Sequence, residues 1–162
     1  MQVRIRETGA VMYESEFRAS HPNMSMPQQL SEALINELGA DVVFEGPQAT
    51  GGTVYQYSQR SGVEQVDGKW YTKYILGPVF IDQVVDGVTT TAAEQEDAYK
   101  AQKDAEQSKN VRATRDQKLA STDWRFRSDM TPSQEWKDYC QALRDVPSQE
   151  GFPWDITWPV EP

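Results

Sequence analysis

Asp67-Gly68-Lys69-Trp70-Tyr71-Thr72-Lys73-Tyr74-Ile75-Leu76 is the stretch on which the fold turns. Asp-Gly tolerates the left-handed backbone that a two-residue hairpin turn demands, and the residues behind it have strand character. A partner strand has to precede the turn, and Thr53-Val54-Tyr55-Gln56-Tyr57-Ser58 alternates as a strand does. Gly77-Pro78 closes the second strand, and Val79-Phe80-Ile81 has the composition to begin another. The centre of the chain is therefore read as antiparallel sheet.

Towards the N-terminus, Val3-Arg4-Ile5-Arg6 alternates and Ala10–Phe17 is strand-like, with Thr8-Gly9 as the turn between them. His21-Pro22 interrupts the pattern. Ser25-Met26-Pro27-Gln28 has the form of a capping box, and Met26, Leu30, Leu34 and Leu38 follow at helical spacing up to Gly39. This predicts a helix over 26–38, followed by a buried strand at Val42-Val43-Phe44. Residues 1–88 read as an α+β domain, one helix on a small antiparallel sheet.

Beyond residue 88 the composition changes. Thr91–Ala120 contains neither Pro nor Gly, opens with Glu94, Glu96 and Asp97, and closes with Arg112, Arg115 and Lys118. That polarity suits the helix macrodipole, so residues 89–122 are read as a long charged helix or linker. Its apolar stripe is thin (Ala98, Ala101, Ala105, Val111, Leu119) and meets Ser108, Arg112 and Arg115 in heptad register. A solvated helix is the first reading, and an oligomeric stalk formed by this helix is the second. Thr131-Pro132-Ser133-Gln134 repeats the capping-box form, with Trp136, Tyr139, Cys140 and Leu143 on one face before Pro147. Residues 123–162 therefore form a helical hook with Trp124 in the corner, and an aromatic, proline-rich tail. The tail either folds back over the hook or docks on a partner.

Charge restricts the partners. The net charge is −9, shared between the two halves with no basic patch, which argues against nucleic acid or an anionic membrane. No apolar run approaches the roughly 18–20 residues of a membrane span, and the first residues lack the shape of a signal peptide. One cysteine permits no intrachain disulfide, consistent with a reducing compartment.

The chemical motifs fail individually. Gly46-Pro47-Gln48-Ala49-Thr50-Gly51-Gly52-Thr53 has P-loop spacing, but Gly52 stands where the phosphate-binding lysine belongs and strand follows instead of helix. His21 is the only histidine, too few for zinc and without a nucleophile elbow for a triad. Cys140 shares a face with Leu143 and reads as a small core residue. Glu14 and Glu16, placed on one strand, are an unremarkable pair among 25 acidic residues. Neither an enzyme nor a cofactor or metal site is expected, and a host-surface hydrolase or sugar-binding module fails on the same motifs. Binding surfaces remain: Trp124, Trp136, Tyr139, Arg144, Asp145, Phe152, Trp154 and Trp158. For Arg144-Asp145 a structural ion pair is the first reading and a partner contact the second.

Asp123-Trp124, Trp136, Tyr139, Leu143-Arg144-Asp145, Phe152-Pro153 and Trp158-Pro159 together resemble the closing segment of phage tail assembly chaperones and tail fibre assembly proteins. The resemblance spans about residues 110–162; Cys140 departs from it, standing where an arginine commonly follows the tyrosine. Residues 6–14 and 44–49 resemble virion-associated proteins of marine cyanobacterial myophages. The second resemblance points to a source and not to a mechanism, while the first implies a non-enzymatic tail protein, in the virion or in the host cytoplasm during assembly. The first also implies a tail fibre or baseplate protein as partner, with a permanent structural adaptor as the alternative role.

Overall fold

The computed structural model describes all residues, Met1–Pro162, and divides them into two compact units, Met1–Val79 and Phe80–Pro162. The fold class is α+β, as the sequence predicts.

The first unit holds β1 (Gln2–Ile5), β2 (Val11–Tyr13), α1 (Glu14–Ala19), α2 (Glu32–Glu37), β3 (Ala40–Phe44), β4 (Tyr57–Val66) and β5 (Lys69–Gly77). The sheet order is β2-β1-β3-β5-β4. Its pairs are antiparallel except β3–β5, which is parallel, so the sheet is mixed. The Asp67-Gly68 turn forms as expected, with φ of 48° and 78°, and joins the two longest strands. β4 begins at Tyr57 instead of Thr53, because Gln56 turns back on Thr53: its N–H donates to the Thr53 carbonyl at 3.0 Å and its Oε1 accepts from the Thr53 N–H at 3.1 Å.

Two expectations fail near the N-terminus. The strand predicted over 10–17 stops at Tyr13, whose N–H donates to Glu16 Oε2 at 2.7 Å. Glu14 and Glu16 therefore stand in a helical turn, and Phe17 enters the core. The helix predicted over 26–38 shrinks to α2, capped by Ser31 Oγ accepting from the Leu34 N–H. The Gln28 carbonyl, which a longer helix needs for its own ladder, is held at 2.8 Å by Arg18 Nη2. The leucine spacing still reports burial. Leu30 and Ile35 join Val3, Phe17 and Ala40 in one cluster, with Met26, Leu34 and Leu38 packed against it. His21 packs locally, its ring 4.8 Å from that of Phe17 and its Nδ1 2.9 Å from the Phe17 carbonyl.

The second unit opens with a hairpin, β6 (Gln83–Val85) and β7 (Val88–Thr90), turning through Asp86-Gly87. Val79–Ile81, read as a strand start, lies outside any strand. The long helix α3 (Ala92–Thr122) forms as predicted. Its start is a reciprocal cap: Thr91 Oγ1 accepts from the Glu94 N–H at 3.2 Å, and Glu94 Oε2 accepts from the Thr91 N–H at 2.8 Å. The Thr91 N–H and, at 2.9 Å, the Thr91 hydroxyl both donate to Glu94 Oε2 and hold its carboxyl below the usual carboxylate range. Ala98, Ala101 and Ala105 are exposed, in line with a solvated helix. A 3₁₀ turn (Asp123–Phe126) leads to α4 (Gln134–Asp145). The predicted Thr131 cap is not used. Ser133 takes the cap position, and Gln134 Nε2 donates forward to Asp138 Oδ1 at 2.7 Å.

Candidate partner-docking surface

The hook is organised by one buried face of α4. Tyr139, Cys140 and Leu143 are buried against Leu119 of α3, with Trp136 and Trp158 closing the cluster. Thr122 is also buried, and its hydroxyl donates to the Leu119 carbonyl at 2.7 Å while lying 3.3 Å from Cys140 Sγ. Buried polar groups need such partners, so this contact fixes where α4 meets the end of α3. Cys140 is thereby a packed core residue, as its position on the helix face predicts. Burial, and secondarily the charge of Glu161, pushes the Tyr139 phenol above its ordinary pKa.

Arginine links the corner to the helix. The Arg125 guanidinium stands 3.6 Å from the Trp136 ring centroid and 4.3 Å from that of Trp124. Trp136 meets Tyr139 edge-on at 5.8 Å. A cation against two indoles adds roughly 0.5–1 kcal/mol per contact at partly exposed sites.

The tail folds back on its own chain, one of the two outcomes the sequence left open. Gln149 grips Thr157 twice, donating Nε2 to the carbonyl at 2.8 Å and accepting from the N–H at 2.9 Å. The Gly151 carbonyl accepts from the N–H groups of Trp154 and Asp155 inside this loop. A Cβ at Gly151 would stand 2.3 Å from the Asp155 carbonyl oxygen, so the turn closes only around glycine. The Phe152–Pro153 peptide is cis and Pro153 is buried. Trp154 Nε1 donates to Asp104 Oδ1 at 2.6 Å, Arg112 lies over Phe152, and Lys118 lies over Trp158. The aromatic tail thus covers one face of α3.

These contacts sort the eight candidate residues. Trp136, Tyr139 and Trp158 meet in the hook cluster, whereas Phe152 and Trp154 pack further along α3. Arg144 and Asp145 are exposed and do not form the expected ion pair; Asp145 accepts from Gln141 Nε2 at 3.0 Å. Gln141 lies one turn earlier on the same side of α4, which the adjacent Arg144 does not share. Trp124 stays nearly half exposed, as do Phe126 and Met130 in the same connection. Those two were missed in the sequence because single apolar residues among Arg and Asp carry no periodic pattern.

Residues 108–162 match the family described as phage tail assembly chaperone protein. The match takes in the second half of α3, the corner, α4 and the tail, and so contains all eight candidate residues. Comparison with curated proteins returned no match, nor did comparison with solved structures.

Proposed function

We propose that this chain is a non-enzymatic phage tail assembly chaperone that holds a tail fibre or baseplate protein through the corner of its C-terminal hook. The carrying observation is that the family match falls on one contiguous segment whose corner leaves Trp124, Phe126 and Met130 nearly half exposed. Exposed aromatics beside arginine are the composition of interface anchors. In this reading Trp124, Arg144 and Asp145 touch the partner. Trp136, Tyr139, Phe152, Trp154 and Trp158 set the surface from beneath, with their remaining exposed edges at its rim. A partner's apolar or strand-edge surface is thereby covered until it assembles.

A second reading, a permanent adaptor between fibre and baseplate or tail, draws support from the division into two compact units. The adaptor reading is separated from the first by quantitative mass spectrometry of salt-washed virions. A transient chaperone is abundant in infected lysate and absent from particles. A fixed stoichiometry to a tail protein makes the chain an adaptor or a chaperone retained on its fibre, and rules out a transient chaperone. Self-association through α3 is tested by size-exclusion chromatography with light scattering. Co-expression with the tail fibre and baseplate proteins of the same phage tests the surface directly. The double variant Trp124→Ser, Met130→Ser loses capture while the chain stays folded, with only the small loss of stability expected from the Arg125–Trp124 contact, roughly 0.5–1 kcal/mol. Undiminished capture would move the docking site elsewhere.

A further inference from the structure

The β6–β7 hairpin has no core to serve. Ile81, Val84, Val85 and Val88 are 66%, 68%, 64% and 67% exposed, and every residue from Ile81 to Thr90 lies in solvent. A two-stranded hairpin alone in water is marginal at best. This one is fastened at its base to the start of α3. Asp82 Oδ1 accepts from the Ala92 N–H at 2.7 Å, Gln95 Nε2 donates to the Ile81 carbonyl at 2.7 Å, and the rings of Phe80 and Tyr99 meet at 5.6 Å. The hairpin is held out by its root.

Its free edge can be located. With a two-residue turn, Val85 and Val88 form the closing hydrogen-bonded pair, so Val84 and Thr89 form the next, non-hydrogen-bonded one. The N–H and C=O of Val84 therefore point away from β7. Proteins blunt such edges with very short strands, charged side chains (lysine above all), proline, a bulge or a covering element. The β6 strand, three residues long, is guarded only by its length and by acidic charge. Here Val84 has only Asp82 and Asp86 two residues to either side.

Charge decides between occupants. From Tyr74 to Tyr99 there is no lysine or arginine, while Asp82, Asp86, Glu94, Glu96 and Asp97 fall in this span. Lys100, next in the chain, pairs with Glu96 at 2.7 Å, so most of the negative charge is left over. A second copy of the hairpin brings the same charge and is repelled, as is a nucleic acid.

We propose that the β6 edge accepts an extended strand of another protein, apolar on the face it shares with Val85 and Val88 and flanked by lysine or arginine. Main-chain bonds to Val84 supply the affinity, and the acidic rim supplies the selection. The proposal goes beyond the hook reading, because it requires nothing of what the hook holds.

The experiment is an amide NMR titration of the full chain with a short synthetic peptide alternating valine and threonine between lysines. Shifts centred on Gln83–Val85 are expected, with binding about tenfold weaker when the lysines are replaced by glutamates. Val84→Pro removes the outward N–H without breaking a β6–β7 bond and abolishes the shifts, while the remaining spectrum is retained. Asp86→Asn keeps the turn, since asparagine tolerates positive φ, and weakens the lysine peptide alone. Equal binding of both peptides, shifts centred elsewhere, or reversible self-association through the hairpin would each overturn the proposal.

Discussion

Trp154 and Asp104, fifty positions apart, are joined by an indole N–H to carboxylate hydrogen bond of 2.6 Å. It fastens a tail of Pro, Gly and aromatic residues to the middle of a helix that has almost no apolar face of its own. The helix supplies a carboxylate at the right height, and the tail supplies the apolar cover that α3 lacks.

Asp104→Ala should loosen that attachment by about 1–2 kcal/mol, the range for a partly exposed bond to a charged group. Hydrogen exchange is the readout. Amides of 147–162 exchange faster, while those of Met1–Val79 keep their rates. Uniform acceleration in both units would mean that the tail is not a local element.

Leu143→Ala empties a fully buried position in the hook, and large-to-small changes at such sites cost about 2–5 kcal/mol. The hook should melt earlier and partner capture should fail with it. Ile35→Ala is the control, since it is equally buried but lies in the first unit. It should lower the stability of that unit and leave capture intact.

Gly151→Ala meets a carbonyl oxygen, not a yielding side chain, so the turn itself has to shift. A cost of about 1–3 kcal/mol is expected, by analogy with other overpacked sites. Loss of the Lys118–Trp158 and Arg112–Phe152 contacts should appear as a change in tryptophan fluorescence. An unchanged spectrum and melting curve would show that the turn adapts freely.

Gly68→Ala tests the hairpin that organises the first unit. Nothing lies within 4 Å of its Cβ position, so any penalty is conformational. At φ of 78° an alanine costs roughly 1–2 kcal/mol. Denaturant unfolding of the variant measures it.

Alkali should act on the hook through Tyr139. Its folded-state pKa is raised, chiefly by burial, so the neutral phenol's contribution is fully present below the unfolded pKa of about 10 and is lost as pH rises through the folded value. The Tyr74 phenol, bonded to Glu45, is also raised, so ultraviolet titration should show a late-ionising component that Tyr139→Phe diminishes, together with loss of hook structure. Glu161→Gln should bring that ionisation to lower pH, because the neighbouring negative charge is part of the cause.

Some of this was legible in residue order. Asp67-Gly68 specified its turn, because few residues accept positive φ. The sequence places the strand before it at Thr53–Ser58, whereas β4 spans Tyr57–Val66 with a register shift between Arg60 and Val63 that breaks its alternation. The length and charge order of α3 and the single face of Trp136, Tyr139, Cys140 and Leu143 were equally readable, since both are local properties of a helix. Residues 26–38 misled because apolar spacing reports which side chains are buried, not how the backbone carries them there. Arg18, at the end of a neighbouring helix, claimed the carbonyl that a longer helix required. Asp86-Gly87 carried the same turn signature as Asp67-Gly68, but its strands are too short and exposed to stand out by alternation.

The sequence by itself determined the α+β class, the long charged helix, the hook and the residue types from which the candidate surface is drawn. Tertiary structure decided which aromatics are available. Trp136, Tyr139, Phe152, Trp154 and Trp158 are turned largely inward, while Trp124, Phe126 and Met130 are left outside. The reason is that turns, caps and helical faces are fixed by neighbours within a few positions. The burial of a tail residue depends on a partner such as Asp104, far away in the chain, and on whether the backbone between them can close.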